Sequence, residues 1–315
     1  MLFLVVAQGT PGGAGECGQF ADQHGVIGSV RLDLHPGVNV YGSRMIPPEE
    51  AENILAGVDV VESESSVDDD GTVVALAHGA GGGVRENFGV FLDASRQRRY
   101  RFIGPYYPGA GTTPTPDGAL ELELLADQVV ASGIRLGANR FPVIGLSLGA
   151  AVAATAAARH PEHVSALVLT VGLAHQDAQI GAFARIWSAL AAHAEWDALA
   201  ELMIHATGTT RTLTDMDTGT FAETVAAVRA SYPKGGARHA ELAARTDVTA
   251  LFDEINVPTL VIVGGQDRII LPDTARAFSR IHGAEVVEYR EAGHIFTPDQ
   301  QSCWAADVFE FLDRT

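Results

Sequence analysis

Apolar and polar positions alternate in period along the chain, and the change of period marks the elements. Thr72 to Ala77 (TVVALA), Phe141 to Ile144, Val164 to Val171 (VSALVLTV) and Pro258 to Val263 (PTLVIV) are β-rich apolar runs, and Glu285 to Tyr289 reads as a further strand. Runs of this length without alternation are expected of strands buried on both faces. Tyr100 to Gly104 adds another strand, and VIGSVRLDL within Gly25 to Leu34 and Val58 to Glu62 give weaker strand patterns. Between them lie helical segments: Pro47 to Leu55, Arg85 to Arg96, Leu120 to Gly133, Ala150 to Arg159, Pro272 to Ile281 and Asp299 to Leu312. Strands that alternate with helices predict a mostly parallel, doubly wound α/β sheet covered on both faces.

The pattern breaks once. From Gly172 to about Asp253 the strand signal vanishes, and Ala182 to His193, Asp197 to His205, Thr220 to Ser231 and Ala237 to Arg245 read as helices. So much helix between two strands of one sheet predicts an inserted helical lid over residues 173–253. The core is then 71–172 with 254–315, and residues 1–70 supply an N-terminal segment and the first strands. Phe183, Trp187, Trp196 and Met203 would form the lid's own core, with Phe183 and Trp187 candidates for the pocket wall. Asp177, Asp215 and Asp217 read as solvated lid residues, and the acids of Glu62 to Gly71, with Asp59 just before them, as a solvated turn.

Composition narrows the function. The net charge of −18 argues against nucleic-acid binding, which needs clustered Lys and Arg. The one lysine, Lys234, precedes Gly235, so no G-K-[ST] phosphate loop exists. Alanine richness and the arginine bias look like coding preference. Met1 to Ala7 is apolar but lacks a basic flank and is too short to span a membrane. Cys17 and Cys303 fit a reduced, cytoplasmic setting, with one disulfide as the alternative. A monomer or homodimer is expected.

The chemistry sits at strand ends. Gly145-Leu146-Ser147-Leu148-Gly149 lies between a strand and a helix, the context in which G-x-S-x-G presents an exposed nucleophilic serine. The simpler reading is a plain β-to-α turn with Ser147 as helix cap. His78-Gly79-Ala80-Gly81-Gly82-Gly83 follows the strand at Thr72. Val84 stands where a dinucleotide fingerprint needs its third glycine, whereas an oxyanion loop of H-G-x-G type fits every position. In that motif the backbone does the chemistry, so His78 is expected to be structural. Asp267 and His294 each follow a strand, in the order Ser, Asp, His, and a serine nucleophile needs such a base and acid. His160 and His163 are poorly placed as a metal pair because Pro161 breaks the helix between them.

HGAGGG at 78–83, GLSLG at 145–149, VPTLVIVGGQDRIILP at 257–272 and EAGH at 291–294 together make residues 72–315 resemble the α/β-hydrolase superfamily, in particular its lidded, esterase-like members. The resemblance implies Ser147 as nucleophile, Asp267 as acid and His294 as base. It also implies an oxyanion hole of the Ala80 and Leu148 N–H groups, and no cofactor or metal. The chain departs from the family at Tyr106, in Tyr106-Tyr107-Pro108-Gly109-Ala110-Gly111, where many members carry aspartate. That exchange puts an aromatic near the pocket, with Gly79 on its wall. The expected activity is hydrolysis of an ester, thioester or related acyl bond of a hydrophobic small molecule. The same triad also serves carbon–carbon or lactone hydrolysis and biosynthetic cyclisation, and a non-catalytic ligand-binding protein is the alternative of a different class.

Overall fold

The computed structural model describes residues 19–20, 44–64, 71–95 and 98–315. The expected strand within Gly25 to Leu34, the Met1 to Ala7 segment, Cys17 and most of the acidic turn lie outside them.

Among the described residues, eight strands form one sheet: β1 (Gln19–Phe20), β2 (Val60–Glu62), β3 (Thr72–Ala77), β4 (Tyr100–Pro105), β5 (Phe141–Leu146), β6 (Val164–Thr170), β7 (Thr259–Gly264) and β8 (Glu285–Tyr289). Their order is β1-β8-β7-β6-β5-β3-β4-β2. β3 to β8 run parallel, and the edge strands β1 and β2 pair antiparallel to β8 and β4. Strand order reverses around β3, with β4 on one side of it and β5 on the other. Ligands of open parallel sheets gather at such a reversal, beyond the carboxyl ends of the strands.

Each face has its own core. On one, α1 (Pro48–Ile54), α3 (Leu122–Arg135) and α4 (Leu148–Arg159) cover the sheet; on the other, α2 (Val84–Ala94) and α11 (Pro298–Asp313) do so. The second face is aromatic, with Phe91 edge-on to Trp304 at 4.7 Å and to Phe309 at 5.7 Å. Every residue of α4 from Leu148 to Ala158 is buried. A helix enclosed on all sides has no room for large side chains, so its alanines are a packing requirement and not only a coding preference.

Between β6 and β7 lie α5 (Ala178–Ala192), α6 (Trp196–Thr207), α7 (Thr210–Thr214), α8 (Thr218–Ser231) and α9 (Gly236–Ala243). The short α7 has no counterpart in the sequence pattern, since it buries no residue and is held by a Thr209–Thr212 capping box. Two of the acids expected to be solvated cap helices; Asp217 stays exposed while doing so, and Asp177 is half-buried. Asp177 accepts the Ile180 N–H and the Thr274 hydroxyl, at 2.9 and 2.6 Å, and Asp217 accepts the Thr220 N–H. The expected helix from Pro272 to Ile281 is α10 (Pro272–Arg276) followed by a 3₁₀ turn, Ala277–Arg280.

Cys303 is disulfide-bonded, which is the alternative reading of the cysteines and not the reduced thiol. Among the described residues no helix is long and apolar enough to cross a membrane.

His160 and His163 are spent on packing the chain ahead of α1. His160 contacts the Arg44 carbonyl (2.6 Å) and Asp127 Oδ1 (2.7 Å), and His163 Nε2 accepts the Ile46 N–H (3.2 Å). Asp127, inside α3, also takes Arg159 at 2.7 Å and Arg44 at 3.1 Å. Partial burial raises its pKa, but the hydrogen bonds from His160 and Arg159, with the Arg159 charge, outweigh burial and hold it below 3.8. A depressed folded value adds stability above the unfolded pKa and loses it as pH falls through the folded one. Asp127→Ala is therefore expected to cost roughly 1–3 kcal/mol at pH 7. Urea midpoints of the two proteins should converge as the pH is lowered below about 4.

Candidate active site

The turn after β5 places Ser147 at φ 58°, ψ −120°, a strained geometry for a residue with a side chain. Two glycines make it possible. A Cβ on Gly145 would lie 2.3 Å from the Gly149 carbonyl oxygen, and one on Gly149 would lie 1.9 Å from that of Ala77. Ser147 is anchored through its N–H to the Thr170 carbonyl (3.0 Å) and through its own carbonyl to the N–H groups of Ala150 and Leu173. It does not cap α4 with its side chain, so the plain-turn reading does not describe it.

Ser147, Asp267 and His294 converge. His294 Nε2 lies 3.1 Å from Ser147 Oγ, and Nδ1 lies 2.7 Å from Asp267 Oδ2. The other Asp267 oxygen accepts the N–H groups of Ile269 and Ile270, at 2.8 and 3.0 Å. All three residues are buried. A carboxylate with both oxygens occupied keeps one position, and the imidazole it faces keeps one tautomer: Nδ1–H toward Asp267, Nε2 open to the hydroxyl proton. The arrangement can move a proton from Ser147 to His294 while Asp267 stabilises the resulting cation.

The glycine loop 78–83 lies beside it. Gly79 N–H donates to Asn87 Oδ1 (2.8 Å), and Gly81 N–H donates to His239 Nδ1 (3.3 Å). Between them, the Ala80 N–H has no hydrogen-bond partner among the described residues. Neither has that of Leu148, in the first turn of α4, where helical N–H groups have no intrahelical partner. His78 is fully buried; Tyr107 N–H donates to its Nε2 (2.9 Å), so the proton sits on Nδ1 and goes to the Gly79 carbonyl (2.8 Å). Burial, then the neighbouring His239, lowers its pKa to about 3, which keeps the ring neutral.

The cavity over Ser147 is lined by Gly79 and Ala80 on the core side and, across the opening, by Phe183, Trp187, Met203 and Tyr232 of the β6–β7 insertion. Trp187 Nε1–H donates to the Tyr232 hydroxyl (2.6 Å). Trp196 is exposed and outside the cavity. Tyr106 also does not line it, contrary to expectation. Its ring packs against Gly83, within 2.0 Å of where a Cβ would be, and its hydroxyl donates to Glu86 (3.0 Å). The loop after β4 is held by Asp59, whose carboxylate accepts the Thr112 N–H and whose carbonyl accepts that of Tyr106.

Asn87, His239 and Asp59 have no motif to mark them. Asn87 carried a signal, a polar residue on the apolar face of α2 between Val84 and Phe88; the other two are known only through contacts distant in sequence.

The family model for the alpha/beta hydrolase fold matches residues 72–299. A pyrrolizixenacetamide deacetylase of Xenorhabdus hominickii is 29% identical over 243 residues, 74% of this chain and 89% of that protein. A pimeloyl-[acyl-carrier protein] methyl ester esterase of Neisseria meningitidis is 28% identical over 226 residues, 65% of this chain and 80% of its own length. Among solved structures, an alpha/beta hydrolase enzyme from a Medee basin deep-sea metagenome library superposes with a TM-score of 0.73 at 17% identity, over 82% of this chain and 95% of that one.

The tightness of the turn around Ser147 is testable. Gly149→Ala should cost about 3 kcal/mol or more, because the Ala77 carbonyl is backbone and cannot swing away. The check is its urea midpoint against that of Gly137→Ala, where a Cβ meets only open space and the cost is the positive φ alone.

Proposed function

Because the chain belongs to the alpha/beta hydrolase fold family, we propose that it is a serine hydrolase that cleaves an ester, thioester or related acyl bond of a hydrophobic small molecule. The single observation that carries this reading is the Ser147–His294–Asp267 relay at 3.1 and 2.7 Å beneath an apolar cavity.

In this reading Ser147 Oγ attacks the carbonyl carbon as His294 Nε2 takes its proton. The carbonyl oxygen becomes an oxyanion and accepts the N–H groups of Ala80 and Leu148, reinforced by the positive end of α4. Collapse expels the leaving oxygen or sulfur, which takes the proton from His294 and leaves an acyl group on Ser147. His294 then deprotonates a water that attacks the acyl carbon, and a second collapse releases the acid and returns the proton to Ser147. Water is the sole co-reactant. Residues 71–172 and 254–315 serve as the catalytic core and 173–253 as a lid that excludes bulk water and presents Phe183 and Trp187 to the apolar part of the substrate.

A second reading, amide deacylation by the same steps, has support in the 29% identical relative named a deacetylase. The two differ only in the leaving group, so one substrate panel separates them.

Intact-mass spectrometry after exposure to a small fluorophosphonate should give a single adduct on the wild type and none on Ser147→Ala. On p-nitrophenyl butyrate, Asp267→Asn is expected to lower kcat by roughly 10⁴-fold by stabilising the wrong His294 tautomer. A folded wild type without adduct or turnover would sink the proposal.

A further inference from the structure

The loop that carries Ala80 is held from outside the core. His239, one turn into α9, accepts the Gly81 N–H at Nδ1 (3.3 Å) and donates Nε2–H to the Pro108 carbonyl (2.9 Å). One neutral ring thus ties together three segments: the glycine loop after β3, the loop after β4 and the insertion. The ring is fully buried and stands 6.0 Å from His78 and 6.1 Å, edge-on, from Tyr107. Burial lowers its pKa to about 4, against the opposing hydrogen bond to Pro108, so it can accept at Nδ1 at neutral pH.

The ring has little freedom to move. Gly235, just before α9, donates its N–H to the Gly109 carbonyl (2.9 Å), and a Cβ on Gly109 would be 2.4 Å from the Gly235 Cα. Backbone meets backbone there, which needs glycine on both sides. Arg238 donates to the Gly118 carbonyl (2.7 Å) and Arg245 to Glu121 (3.1 Å), fastening the two ends of the same helical segment. On the opposite side of Gly81, Trp187 closes in so far that a Cβ at 81 would lie 2.5 Å from its ring. Gly81 has φ +67°, and the free Ala80 N–H precedes it directly.

We infer that His239 is a positioning residue, clamping Gly81 so that the Ala80 N–H keeps the direction assigned to it toward the oxyanion; this rests on the hydrolase reading above. The insertion is then a structural part of the site's electrostatics as well as its cover. Displacing one oxyanion donor costs on the order of 10²-fold or more in kcat, and a shift of about 1 Å in a positioned group costs a comparable factor.

The two ring nitrogens can be tested apart. Asparagine places its Oδ1 near the position of Nδ1 and can still accept from Gly81, whereas glutamine reaches the position of Nε2 and can still donate to Pro108. With p-nitrophenyl butyrate, His239→Asn should keep kcat within about fivefold of wild type. His239→Gln should lose about 30-fold or more, with KM within threefold, and both should retain a cooperative thermal transition. Hydrogen exchange of the peptide spanning residues 79–83, followed by mass spectrometry without substrate, should speed up in His239→Gln and remain near wild type in His239→Asn. Equal losses of kcat in the two variants, or unchanged exchange in His239→Gln, would overturn the clamp. If the wild type neither turns over ester nor takes up fluorophosphonate, the hydrolase reading falls. The difference in exchange then still upholds or overturns the clamp by itself.

Discussion

The site depends on how closely α4 can come to the sheet. Gly149 sits against the Ala77 carbonyl at a distance that no Cβ could share, and Gly145 sits nearly as close to the Gly149 carbonyl. This approach lets the chain leave β5, turn through Ser147 with a positive φ and enter a helix within a few residues. It sets the Ser147 hydroxyl above the sheet, brings the first N–H of α4 beside it, and aligns the end of β5 with the loop after β3. The strain at Ser147 persists because its N–H and carbonyl are both committed to neighbouring elements.

Asp267 and His294 are placed by the ordinary logic of a parallel sheet. β7 and β8 lie side by side and end on the same edge, so the loops that follow them bring Asp267 and His294 together. The acid is then fixed by two backbone N–H groups, an arrangement that leaves one oxygen, and only one, for the imidazole. Here hydrogen-bond satisfaction does the work of orientation: a buried carboxylate with spare lone pairs would cost free energy and would be free to turn.

The insertion between β6 and β7 is bound to the core more firmly than the word lid suggests. α6 reaches the His294 loop, where a Cβ on Gly293 would lie 2.6 Å from the Thr207 carbonyl, and Arg268 donates to the carbonyls of His205 and Gly208. α9 reaches the two loops on the other side of the cavity. The loops after β3, β4, β7 and β8 thus each have a partner in the insertion. An insertion attached in this way stabilises the geometry of the loops it contacts.

The sequence by itself determined the sheet, the helices that flank it, the inserted helical segment and the four motifs at the strand ends. These are local properties. Apolar periodicity follows from which faces are buried, and Gly145, Gly149 and the glycines at 79–83 mark backbone that side chains would block. Only the tertiary structure decided what depends on contacts distant in sequence. Tyr106 turned from the cavity to Glu86, Asp59 left the solvated turn to anchor the loop after β4, and Asp177 became a cap shared with Thr274. His239 joined two loops more than a hundred residues away. A polar side chain takes whichever partner the fold brings within 3 Å, and no local pattern records which partner that will be.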